Sequence, residues 1–268
     1  VEVNYRFQPN RDLTAEQVTE AITTIRVVED RGIVAKSQGR LSSRPATVHI
    51  VTRQSFRYIT GSADAKGQFP IRMIALDKTT HLRGLDGAEH LMPEKTPLKG
   101  LQVVATMDSD GKVNEGTVEV TGVEAGVAEQ MRTLMAAVLA QVSAVEPLKV
   151  SRDQSIAQDF AMQLPVAGLT TIDIKMRIVN RLIEVQDGIA RIQQTYSMDF
   201  GNPSAGLKIR ADGSGSGMMF YEVASKTLVN SESGTLMSFT IDAPEGVMEL
   251  QMNSKQSQKM QRTQMLNR

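Results

Sequence analysis

The chain has 268 residues, 30 basic and 30 acidic side chains, 41% hydrophobic residues, no cysteine and no tryptophan. That length and apolar content suffice for a core without covalent staples, and the missing cysteine excludes disulfides, thiol catalysis and Cys-ligated zinc. Zero formal net charge and 4% aromatic residues leave neither a basic excess nor stacking surfaces, so nucleic acid is not an expected partner.

Val1, Val3, Tyr5 and Phe7 alternate with polar residues, as in a half-buried strand that ends at Pro9 and Asn10. Thr14 and Gln17 have capping-box spacing. Val18, Ile22, Ile25 and Val28 then recur at helical intervals, and Gly32 can terminate the turn. These signals predict a helix over 14–30, although the β-branched run Ile22-Thr23-Thr24-Ile25 favours a strand. Val48, Ile50, Phe56 and Tyr58 mark a strand over 46–60. After a turn at 61–67, Phe69, Ile71, Met73 and Ala75 share one face of the next. The stretch 81–98 is irregular. A hairpin follows, Leu101–Met107 and Val113–Val120, about the turn Asp108-Ser109-Asp110-Gly111.

The strongest helical stripe is Val127, Met131, Leu134, Val138, Val142 and Val145, widened by Met135 and Leu139 and stopped by Pro147. Beyond it the chain alternates at period two. Ile156, Phe160, Met162 and Leu164 form one strand face. Ile172, Ile174, Met176, Ile178 and Leu182 form another, which Asp187-Gly188 turns back into Ala190, Ile192, Tyr196, Met198 and Phe200. Further strands are expected over 217–223, 227–242 and 246–257, with a frayed end after 258.

The expected class is α+β and β-dominated: long curved antiparallel sheets or hairpins packed against one or two amphipathic helices. Helices beginning near 14 and 124, each followed by two hairpins, suggest an internal duplication. The halves divide at 1–121 and 122–268, or join in one continuous domain.

No chemical motif stands out, and no enzyme is expected. Gly213-Ser214-Gly215-Ser216-Gly217 fits neither the nucleophile-elbow nor the dinucleotide pattern, and it leads into a strand. Asp108-Ser109-Asp110-Gly111 lacks the later carboxylates of a calcium loop. His49, His81 and His90 have no zinc spacing, although His81 and His90 lie near Asp86 and Glu89 in the irregular stretch. No cofactor and no metal are expected. The longest apolar run, Met135–Ala140, is far too short to cross a membrane as a helix.

What remains is apolar surface, with 15 methionines suited to irregular packing or to varied apolar partners. The expected site lies between the 124–145 helix and the 170–200 hairpin. Its apolar lining is Met131, Leu134, Met135, Val138, Ile174, Met176, Ile178, Tyr196 and Met198, and its ligand a lipid or acyl chain. The alternative is an envelope protein–protein interaction or structural module with a filled core.

Three stretches resemble a family of uncharacterised bacterial secreted or lipid-anchored proteins, a domain of unknown function. They are Glu146-Pro147-Leu148-Lys149-Val150, Asp187-Gly188-Ile189-Ala190, and Met218–Glu222 with Lys226–Ser231. The likeness spans residues 95–258. It departs at Arg152-Asp153-Gln154-Ser155, where that family tends to have Gly-Asp-x-Trp. The resemblance implies a β-rich fold and a periplasmic or extracellular location, and it supplies no catalytic residues. Because the chain starts at Val1, a signal or anchor segment is expected to have been removed.

Overall fold

A computed structural model describes residues 1–4, 6–36, 44–83, 89–92, 99–144, 146–165, 171–201 and 208–263. Tyr5 and Asp86 lie outside them. In chain order the elements are β1 (Glu2–Val3), β2 (Arg11–Asp30), α1 (Ile33–Lys36), β3 (Ala46–Thr60), β4 (Phe69–Arg83), β5 (Glu89–Leu91), β6 (Gln102–Met107) and β7 (Val113–Thr121). There follow α2 (Ala125–Ala144), β8 (Leu148–Lys149), β9 (Ile156–Pro165), β10 (Thr171–Gln186), β11 (Ile189–Phe200), β12 (Lys208–Glu222), β13 (Thr227–Ala243) and β14 (Gly246–Arg262). The protein is thus β-dominated, with two described helices.

Among the described residues one antiparallel sheet of 12 strands runs β7-β6-β4-β3-β2-β14-β13-β12-β11-β10-β9, with β5 added beside β4. It is not a closed barrel: β7 and β9 are its two ends. The first half forms one meander and the second half another. Pairing of β14 with β2 joins them without a break. Turn chemistry sets the registers. Asp187 and Gly188 have φ of 49° and 78°, the left-handed pair that a two-residue hairpin turn requires, and β10 pairs with β11 from Gln186↔Ile189 onward.

The helix expected over 14–30 is a strand. β2 is 20 residues long and pairs along its length with β3 on one side and β14 on the other. The helical stripe splits between the two faces: Ile25 shares a face with Ala21 and Thr23, while Ile22 and Val28 are exposed on the other. Two flanking ladders outweigh a local capping signal, and the β-branched run suits a central strand. Thr14 caps nothing; its Oγ1 lies 3.1 Å from Oγ1 of Thr263. The first half therefore has a strand where the expected duplication required a helix near residue 14.

One face of the sheet carries three clusters among the described residues, two of them covered. The first contains Phe69, Ile71, Val103, Ala105 and Met107 from β4 and β6, covered by α2 through Leu139, Met131 and Met135. The second contains Leu182, Ile192, Met219 and Tyr221, covered by Val3, Leu148 and Val150 of the small β1–β8 ladder. Each fully buried aliphatic or aromatic side chain stabilises the fold by roughly 1.5–3 kcal/mol. Asn4 and Arg6 bond to residues in or beside different clusters. The Asn4 amide donates to the Tyr221 hydroxyl (3.1 Å), and two residues later Arg6 Nη1 donates to the Asp110 carbonyl (3.3 Å).

Helix α2 presents a different stripe from the one its sequence suggested. Met131, Met135 and Leu139 form an i, i+4 row against the first cluster. Ser143 continues this row; it is buried and its hydroxyl accepts the Val113 amide at 3.2 Å. Leu134 and Val138 are turned to solvent, 45% and 41% exposed.

Candidate functional site

The site expected between α2 and the long hairpin is not assembled. Met131 and Met135 pack on β4, β6 and β7, whereas Ile174, Met176, Ile178, Tyr196 and Met198 lie far along the sheet on β10 and β11. Leu134 and Val138 face away from both. The hairpin members do share the cluster-bearing face, and the strand registers show what accompanies them.

Three cross-strand rows define that part of the face. The first is polar: Thr80, Thr52, Thr19, Gln256, Ser233, Gly217, Gln194 and Asn180 stand opposite one another across β4, β3, β2, β14, β13, β12, β11 and β10. Gln194 Nε2 donates to Asn180 Oδ1 at 2.8 Å, while Asn180 Nδ2 is buried without a partner. The next row but one reads Thr23, Met252, Met237, Gly213, Met198 and Met176. Beyond it come Ile25, Leu250, Phe239, Ala211, Phe200 and Ile174. A polar belt therefore separates the two filled clusters from a methionine- and phenylalanine-rich area.

That area has no covering element among the described residues. The cluster within it, Ile174 and Ile209 with Phe200, Ala211 and Ile241, draws only on strands of the sheet. Met176, Met198, Met237 and Met252 are half-buried.

Strand β12 explains the glycine motif. Gly213, Gly215, Gly217 and Ala211 leave a trench on this face, and larger side chains of β11 and β13 lie across it. Tyr196 covers Gly215, where a Cβ would meet the ring at 2.7 Å, and its hydroxyl bonds to Ser233. Burial pushes the Tyr196 phenol above its ordinary pKa, and the Ser233 bond only partly offsets this. Phe200 and Phe239 meet over Ala211, ring centroids 5.3 Å apart. The motif lies inside a strand and serves packing.

A cleft of about 280 Å³ lies between the two clusters, lined at one side by Asn4, Arg6, Phe7 and Gln8. Phe7, Leu13, Tyr58 and Met260 give it apolar walls; Arg6, Arg11 and Lys226 are the charged residues that line it. Arg11 Nη2 donates to the Ser225 carbonyl at 2.9 Å, and its Nε is buried without a partner. Burial raises the pKa of both Tyr58 and Tyr221.

The remaining candidates resolve into structure. His49 Nε2 lies 2.7 Å from Glu20 Oε1 on the opposite face. His90 pairs with Leu82, which puts it on the other face from His81. Asp108 Oδ1 accepts the amides of Asp110 and Lys112 at 2.9 Å, as a turn does. Among the described residues no group of three His, Asp or Glu side chains could hold a metal, and no helix is long and apolar enough to cross a membrane.

No protein-family model matches the chain, and no curated protein sequence matches it. Among solved structures, lipovitellin, from a study titled for its lipid–protein interactions, aligns at 10% identity with a TM-score of 0.49. The match covers 98% of this chain and 26% of that one, so the chain spans about a quarter of lipovitellin's length. OpdQ of Pseudomonas aeruginosa aligns at 8% identity and a TM-score of 0.25, over 93% of this chain and 97% of that one. Both scores fall below 0.5, and neither likeness bears on function.

Proposed function

We propose that the protein is a non-enzymatic binder of an apolar ligand, a lipid or acyl chain, held on the methionine-rich part of the core face. The observation that carries this reading is the apolar area beyond the polar belt, which no element among the described residues covers, with Met176, Met198, Met237 and Met252 in one row. Contiguous apolar surface of this kind marks binding sites, and methionine adapts to chains of varied shape. The ligand then lies against the sheet, away from α2.

The reading includes a curved sheet. In a flat sheet, the six steps from β6 to β12 would span roughly 29 Å. Yet Asn4 reaches Tyr221 on β12 while Arg6 and Phe7, at most about 11 Å further along an extended chain, meet Gly111 in the turn that follows β6. Bending of the sheet toward segment 1–9 supports a sheltered face. We place the protein outside the cytoplasm of a bacterium, in keeping with its lack of cysteine and its resemblance to the bacterial envelope family over residues 95–258.

Native mass spectrometry of gently isolated protein tests the ligand. The reading expects added mass that dissociates as a lipid or fatty acid, and its loss in Met198→Glu. A ligand-free protein that also fails to bind a fluorescent fatty acid overturns it. The second reading, a protein-binding module, is favoured by the outer edges of β7 and β9, which pair with no further strand among the described residues. It expects a stable oligomer or complex that masks one of those edges from hydrogen exchange.

A further inference from the structure

We infer that the cleft between the two clusters is a separate site for a small apolar carboxylate, with Arg11 as its counter-charge. This inference does not rest on the methionine-rich area, which lies across the polar belt.

The cleft sets cationic side chains among apolar walls. Among the described residues the charged side chains that line the cleft are Arg6, Arg11 and Lys226, none of them acidic, in a chain whose charges otherwise balance. Arg11 opens β2 opposite Thr60, so the register fixes it on the cluster-bearing face. It makes no ion pair among the described residues, although neighbouring arginines do: Arg57 is held by Asp12 at 2.6 Å, and Arg262 by Glu222 at 3.3 Å. The Asp12 carboxylate points to the opposite face and is occupied there, leaving Arg11 uncompensated.

Arg11 is half-buried, with its Nε closed off from solvent, and a buried guanidinium nitrogen without an acceptor calls for a water or a ligand. One guanidinium edge is spent on the Ser225 carbonyl, 2.9 Å away. Lys226, exposed at the turn between β12 and β13, has a left-handed φ of 52° and stands at the rim. Phe7, Leu13, Tyr58 and Met260 offer the apolar walls that a bare inorganic anion would not use. An anionic head against Arg11 and Lys226, with a short hydrocarbon body against those walls, satisfies both halves of the lining.

The test uses the full chain with its methionine methyls labelled. Octanoate, octanol, octylamine and inorganic phosphate are titrated in turn while the Met260 methyl resonance is followed. Octanoate is expected to shift Met260 and to bind at least about tenfold more tightly than the other three. Arg11→Met, which keeps the side-chain length, should weaken octanoate by about tenfold or more and leave octanol unchanged; Arg11→Lys should retain part of the preference. Octanol binding as tightly as octanoate overturns the inference, and so does unchanged octanoate binding in Arg11→Met. Phosphate binding as tightly as octanoate overturns it in favour of a bare anion site. Should Arg11→Met fail to fold, the wild-type series decides alone. Octanoate shifting Met198 but not Met260 would overturn this site while sparing the methionine-row reading.

Discussion

The two parts of the core face differ in what stands over them. On one side of the polar belt, α2 and the β1–β8 ladder close over Phe69, Ile71, Ile192 and Tyr221, leaving these side chains at most 2% exposed. On the other side the same strands continue with residues as apolar, and no described element covers them. Apolar patterning is therefore common to a filled core and an open face, and only the covering elements separate the two. The polar row marks where one gives way to the other.

The largest expected effect breaks this comparison directly. Ile192→Ala should cost about 2–5 kcal/mol by opening a cavity in a fully buried site, whereas Met198→Ala, three pairs further along β11, should cost less than about 1 kcal/mol. Chemical denaturation of both variants checks it. Equal losses would mean that the open side is packed as tightly as the closed one.

Gly215→Ala sharpens the account of the trench. Its methyl would collide with the Tyr196 ring and with the Gly234 carbonyl, and overpacking of this kind costs about 1–3 kcal/mol. In a Tyr196→Ala background the ring's share of that cost should vanish while the carbonyl's share remains. A double-mutant cycle with no coupling would show that the ring does not lie on that glycine.

A smaller effect lies on the opposite face. The hydrogen-bonded Arg57 guanidinium holds the Asp12 carboxyl below its ordinary pKa, so the pair's contribution is present above the unfolded carboxyl pKa, near about 4. It is lost as pH falls through the still lower folded value. Asp12→Ala should destabilise by about 1 kcal/mol at pH 7, and the gap from wild type should close in acid. A gap that stays constant down to pH 2 would remove the pair from the account.

Much of the sheet was legible because turn residues and period-two alternation act locally. Asp187-Gly188 fixed one hairpin, Asp108–Gly111 another, and the strand bounds of β3, β4, β6 and β7 follow their alternation closely. The errors came where distant partners decide. The capping signal at Thr14 and Gln17 is local, but β2 is held by β3 and β14, which lie in distant sequence. In α2 the stripe was broad enough to bury either of two rows, and Ser143, a polar residue, marks the row that meets the sheet. Of the candidate lining, Ile174, Met176, Ile178, Tyr196 and Met198 share one face, as their spacing requires. The helix members do not join them, because spacing says nothing about which sheet region a helix covers. The polar belt was hidden for a related reason: its members are single Thr, Ser, Gln, Gly and Asn residues on separate strands, aligned only by register. The period-two glycines of β12 were the one local hint of a bare strip on that face.

The most direct test of the open face uses the methionines as reporters. With their methyl groups labelled, a saturating long-chain fatty acid should shift Met176, Met198, Met237 and Met252 together, leaving Met107, Met131 and Met135 of the covered cluster unmoved. Shifts confined to the covered methionines, or none at any methionine, would contradict the claim that the uncovered rows bind an apolar ligand.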